Sequence, residues 1–113
     1  MGDIRLREFE ELVLLAVMVS EESATGAAIQ EVLEREAGRI VSIGAIYTAL
    51  DRLVRKDFIE SWLGEPTPVR GGRRKRHYRV TSLGLEHLTE VRRLRDRMWA
   101  KIPPRLRKNE VTP

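Results

Sequence analysis

The chain contains no cysteine, which removes disulfides, cysteine-ligated zinc, iron–sulfur clusters and thiol nucleophiles together. A reducing cytoplasm is the natural compartment for such a composition. Aromatic residues are scarce, 5% of 113, and the two histidines, His77 and His87, have no carboxylate at metal-ligand spacing. No glycine-rich phosphate loop or nucleophile motif is present, so neither an enzyme nor a cofactor nor a metal site is expected. Long hydrophobic runs are missing as well. The longest, Leu12 to Val19, is too short to span a bilayer and reads as a buried helix segment. Glu8, Glu10 and Glu11 precede it, unlike the start of a signal peptide. No membrane contact is expected.

What is abundant is charge, 34% of residues, for a net +4. Its distribution says more than its sum. Residues 1–69 carry 7 Lys and Arg against 13 Asp and Glu, whereas residues 70–113 carry 14 against 4. Such asymmetry points to a polyanion met by the C-terminal part, the alternative being a solvated surface with a basic tail. Five Arg and one Lys fall between Arg70 and Arg79, after which Tyr78 and Val80 alternate with charged neighbours. The stretch is half structure and half charge.

A chain of this length makes one domain with a modest core. Apolar periodicity near 3.6 predicts four helices. The first spans about Arg5 to Ser20, with Leu6, Phe9, Val13, Ala16 and Val17 on one face. The second spans about Gly26 to Ala37, capped by Thr25 or Ser23 and stopped by Gly38. The third runs from Ile43 to Lys56 behind an N-cap at Ser42, with Ile43, Ile46, Leu50, Leu53 and Val54 as its buried stripe. Two strands follow, Phe58 to Leu63 and Lys75 to Thr81, joined by a loop rich in Pro and Gly. The fourth helix starts at Thr81 or Ser82 and ends before Pro103. Residues 103–113 read as a disordered tail.

Three helices, a β-hairpin and a further helix make a mainly α fold of the winged helix-turn-helix arrangement. Residues 1–81 form the DNA-binding domain and residues 82–102 a C-terminal dimerisation helix. In that arrangement the third helix enters the major groove of double-stranded DNA. Ser42 and Thr48 offer hydroxyls to bases or phosphates, and Arg52 reaches a guanine or the backbone. Small residues at Gly44, Ala45 and Ala49 on the outer face let the backbone approach. Tyr47 has two readings, packing against the second helix or touching a phosphate with its hydroxyl, and both can hold. Arg73, Arg74, Lys75 and Arg76 form the wing tip. About four phosphate contacts per subunit give a dimer a salt slope near −7. Leu88, Val91, Leu94 and Met98 form a stripe suited to a homodimer. Trp62 reads as a strand residue over the core edge. For Trp99 two readings stand, dimer packing and an aromatic wall for a small planar effector.

The stretch SIGAIYTALDRLVRKDFIES, Ser42 to Ser61, resembles the third helix and first strand of PadR-type transcriptional regulators. GGRRKRHYRVTSLG, Gly71 to Gly84, resembles that family's wing, second strand and entry to the last helix. The likeness spans about Leu6 to Trp99, and the single short C-terminal helix is similar to the compact subgroup. It implies a dimeric repressor of its own promoter or of a neighbouring transporter or detoxification gene. Tyr47 matches the family's helix-three tyrosine, and Gly72, Arg73, Tyr78 and Arg79 match its wing and return strand. The family often opens its second helix with His-Gly-Tyr, of which Thr25-Gly26-Ala27 keeps only Gly26. It often has Gly before the first strand, where this chain has Asp57. Against the repressor stands a second reading, a winged-helix interaction module or nonspecific nucleic-acid binder.

Overall fold

Local capping chemistry sets most of the element boundaries. The computed structural model describes residues 6–66 and 74–107. Helix α1 is Glu8–Ser20, followed by a 3-10 turn at Glu21–Ser23; α2 is Gly26–Ala37 and α3 is Ile43–Arg55. Strands β1, Ile59–Leu63, and β2, Arg76–Val80, pair antiparallel, with Ser61 opposite Tyr78 and Trp62 opposite His77. Helix α4, Ser82–Lys101, closes the chain's regular structure before a 3-10 turn at Pro104–Leu106. Of the expected tail, residues 103–107 are thus partly ordered by that turn, and residues 108–113 lie outside the described residues.

Each cap satisfies a backbone group that the helix leaves orphaned. The Thr25 hydroxyl accepts the Ala28 N–H at 3.3 Å, Ser42 that of Ala45 at 3.1 Å, and Thr81 that of Gly84 at 3.0 Å. Gly38 ends α2 with φ of 64°, while its own N–H and that of Arg39 return to Glu34 and Leu33. The same left-handed conformation recurs at Asp57, φ 63°, between α3 and β1. This is the position where the resemblance leads one to expect Gly, and Asp is among the few other residues that tolerate it. The turn places Phe58 N–H on the Leu53 carbonyl at 2.9 Å, so the strand begins at Ile59 rather than at Phe58.

The core lies where α1, α2 and α3 meet the inner face of the hairpin. Val13, Leu14, Ile29, Ile46, Leu50, Leu53 and Phe58 are fully buried in it, with Tyr78 from β2 and Leu88 from α4. Each such side chain contributes roughly 1.5–3 kcal/mol of transfer free energy. The α3 stripe differs from the expected one at two places. Ala49 is 5% exposed and belongs to the core, because it follows Ile46 by three residues beside Leu50. Ile43, in the first turn, is 40% exposed and does not.

One charged side chain is buried among these residues. Glu10 is 2% exposed, accepts the Lys56 ammonium at 2.7 Å and caps α1 by accepting the Arg7 N–H at 3.2 Å. Burial pushes its carboxyl upward, but Lys56 and the Arg7 amide outweigh that, and the net position is below the usual carboxylate value. Burial also raises the Tyr78 phenol.

Candidate nucleic-acid interface

Helix α3 presents an outer face of small and polar residues. Ser42, Gly44, Ala45, Thr48, Asp51 and Arg52 are exposed. The Ser42 hydroxyl caps the helix, and the Thr48 hydroxyl donates to the Gly44 carbonyl at 3.0 Å, so both are held by their own backbone. The α2–α3 connection that aims this helix is pinned at two points. Gln30 donates to the Val41 carbonyl at 2.8 Å, and Arg39 pairs with Glu8 at 2.6 Å.

Tyr47 faces the start of α2. An added Cβ on Gly26 would lie 2.6 Å from the Tyr47 hydroxyl oxygen, so the absence of a side chain at Gly26 is what admits the ring. Both readings of Tyr47 therefore have a physical basis: its ring packs on α2, and the residue remains 42% exposed. Around it a cavity of about 370 Å³ is lined by Thr25, Gly26, Ala27, Tyr47, Leu63, Arg74, Lys75 and Arg76. Three cations from the hairpin and the amide-rich end of α2 thus border one hollow, an arrangement suited to an anion.

The hairpin rim is held by its own hydrogen bonds. Gly64 N–H donates to the Lys75 carbonyl at 2.7 Å, Arg74 donates to the Gly64 carbonyl at 2.8 Å, and Arg76 to the Ser61 hydroxyl at 3.1 Å. Lys75 is exposed and makes no ion pair among the described residues. Arg73 lies outside the described residues, as do Arg70, Gly71 and Gly72. The structure brings Tyr47 together with Arg74, Lys75 and Arg76, and leaves Ser42, Thr48 and Arg52 on the separate outer face of α3. Sequence reasoning missed the contribution of Thr25-Gly26-Ala27. Its available signal was a glycine directly after an N-cap threonine, where only close approach by another group favours Gly.

The family model described as "Transcriptional regulator PadR-like family" matches residues 14–90. The chain belongs to this family. Among solved structures, a PadR-like transcriptional regulator from Bacillus cereus is 26% identical, with a TM-score of 0.65 over 83% of this chain and 86% of that one. A PadR-like transcription factor from Bacteroides fragilis shares the fold at 23% identity and a TM-score of 0.68, over 83% and 85% of the two chains. A PadR family transcription regulator from Clostridium difficile does so at 23% and 0.62, over 83% and 93%. No curated protein matches the chain.

In this PadR-like chain the family match ends within α4, and that helix carries the remaining expected sites. Leu88 is 7% exposed and belongs to the core cluster. Val91 is half-buried, whereas Leu94, Met98 and Trp99 are exposed. Leu15, Met18 and Val19 of α1 are exposed as well. A groove of about 550 Å³ between the two helices is lined by Leu15, Met18, Leu88 and Trp99 and crossed by an Arg95–Glu11 pair at 3.0 Å. Trp62, expected over the core edge, is 39% exposed; its ring stacks on His77 at 5.7 Å and lies under the Arg79 guanidinium at 5.1 Å. Among the described residues no helix is long and apolar enough to cross a membrane, and no group of three His, Cys, Asp or Glu could hold a metal.

Proposed function

We propose that this chain is a double-stranded DNA-binding repressor that acts without catalysis, as a homodimer. The observation that carries the reading is the hollow where Tyr47 and the start of α2 face Arg74, Lys75 and Arg76. A phosphate there fixes register, and the exposed face of α3 is left to meet base edges. Thr48 and Arg52 supply the base-reading groups, and Ser42 contributes to the backbone contact at the helix start. The apolar residues Val91, Leu94 and Met98, with those of α1, pair two copies. Dimerisation places two α3 helices on successive turns of one DNA face. The regulated gene is the chain's own or that of a neighbouring transporter or detoxification protein. A planar aromatic effector between the Trp99 residues of the two subunits relieves repression.

The test is a duplex selected by the purified protein from a random pool, titrated against random competitor at two salt concentrations. Lys75→Ala is expected to weaken selected and random duplexes alike and to flatten the salt slope by about 0.9 for each phosphate it leaves unneutralised. Arg52→Ala is expected to weaken the selected duplex alone. Equal losses on both duplexes from both substitutions refute base reading by α3 and leave a nonspecific binder. A dimer that selects no sequence favours the interaction-module reading.

A further inference from the structure

The connection into α3 carries an apolar side chain that the folded subunit leaves in water. Ile40 is 90% exposed, the highest value among the large apolar side chains described, and Ile43, the first residue of α3, is 40% exposed. Single apolar residues are ordinary on a protein surface, but these two stand together at the leading end of the helix proposed to enter DNA. Neither belongs to α1 or α4, the helices proposed to pair two subunits.

Three further observations say what covers them. Gly44 has neither of the reasons that account for the other described glycines: its φ is not positive, and an added Cβ would meet nothing within 4 Å. Glycine weakens a helix relative to alanine, so its use here is explained by close approach of an outside surface and by nothing inside the subunit. The hydroxyls of this end are already engaged, Ser42 accepting the Ala45 N–H and Thr48 donating to the Gly44 carbonyl, which leaves methyl and methylene groups as the main free surface. Tyr47 follows Ile43 by one turn on the same helix face, and it borders the hollow of Arg74, Lys75 and Arg76. The covering partner therefore sets apolar groups beside a polyanionic backbone. The major groove of DNA does so wherever it carries a thymine methyl.

We infer that Ile40 and Ile43 determine sequence preference by contacting the 5-methyl group of thymine, with Gly44 admitting the base edge against the helix backbone. The inference rests on the DNA reading proposed above and adds a base to it. Thymine is distinguished by that methyl alone from uracil, which presents the same carbonyl to the groove. The contact needs no hydrogen bond, in keeping with an end of α3 whose hydroxyls are engaged. One methyl taken out of water against these side chains is worth about fourfold in affinity.

The test uses the full chain and the duplex it selects from a random pool, with each thymine replaced in turn by uracil. The replacement removes the methyl and keeps the base pair. At one or more positions the affinity is expected to fall about fourfold. Ile40→Ala with Ile43→Ala should bind the thymine and uracil forms of that duplex equally, and an unchanged far-UV spectrum checks its fold. Gly44→Ala should weaken the selected duplex without lowering the melting point, a combination that a structural role for Gly44 does not produce. A chain that selects a sequence yet tolerates uracil at every thymine overturns the inference and leaves base reading by α3 standing. A double variant that keeps the parent's uracil penalty overturns it too, as does a Gly44→Ala chain with undiminished affinity. A chain that selects no sequence overturns both the inference and the reading on which it rests.

Discussion

Gly26→Ala separates the position of Tyr47 from the stability of the fold. The added methyl would sit 2.6 Å from the Tyr47 hydroxyl oxygen and 2.7 Å from the ring carbon that bears it. An ordinary contact begins near 3.4 Å, so the hydroxyl must retreat by about 0.8 Å. It can do so, because Tyr47 is 42% exposed and swings toward solvent without entering the core. Replacing Gly at the first position of α2 also returns part of the roughly 1 kcal/mol that Gly costs a helix. Stability is therefore expected to stay within about 1 kcal/mol of the parent, read by urea unfolding. DNA binding is not spared. A hydrogen bond to a charged group is worth about 1.5–3 kcal/mol, so affinity for a selected duplex falls about tenfold or more per subunit. Tyr47→Phe should lose the same amount, and the double substitution no more than either alone. Additive losses in that cycle would refute the role given to the Tyr47 hydroxyl. They would instead assign the Gly26→Ala effect to blocked approach at the start of α2.

Two predictions concern the frame that carries the interface. At Gly84 an added Cβ would run into the Phe58 carbonyl oxygen, which accepts the Thr81 N–H at 2.9 Å, and come within 2.9 Å of a Val80 methyl. Because backbone cannot yield as Tyr47 can, Gly84→Ala is expected to cost about 2 kcal/mol net of its helix-propensity gain. Calorimetry should show a melting point roughly 10 °C lower; an unchanged one refutes the close approach of α4 to the Phe58 carbonyl just before β1. At Glu10 the folded carboxyl titrates below its unfolded value of 4.5, so its contribution is complete above that pH. It is lost as pH falls through the lower folded value. Glu10→Gln should thus destabilise at pH 7, by about 2 kcal/mol given the partly exposed Lys56 partner. The deficit should shrink as the pH is lowered from about 4.5; a deficit equal at pH 7 and pH 3 refutes the ion-pair account.

The features legible in the sequence were those decided within a few residues. Thr25, Ser42, Thr81 and Gly38 act through groups at most five positions away, and each sits where its chemistry places it. Alternation in β2 likewise put Tyr78 inward and Arg79 outward. Features decided across the fold were not legible. Glu10 lies in an acidic run that reads as solvated, and the Lys56 that makes its burial tolerable is 46 positions away. Ala49 has no size to mark it as core, and only the approach of the packed helices makes it so. The hollow beside Tyr47 needs α2, α3 and both strands of the hairpin at its loop end, which no periodicity relates.

Charge shows how these long-range pairings sharpen the function. In sequence the basic excess is spread from Arg70 to the C-terminus, through α4 as much as through the hairpin. Folding redistributes its effect. Acidic residues of α1 take Arg39, Lys56 and Arg95, Glu60 takes Arg79, and Asp96 lies 3.8 Å from Arg92. Among the described residues, Arg74, Lys75 and Arg76 have no such carboxylate partner. Apart from the buried Glu10–Lys56 pair, these are surface pairs that add little stability, so their consequence is electrostatic. Arg93, Arg97 and Lys101 of α4 also make no ion pair among the described residues, but Arg74, Lys75 and Arg76 are the three that border one hollow, beside Tyr47. A polyanion approaching the chain meets three cations at that hollow, next to Tyr47 of α3.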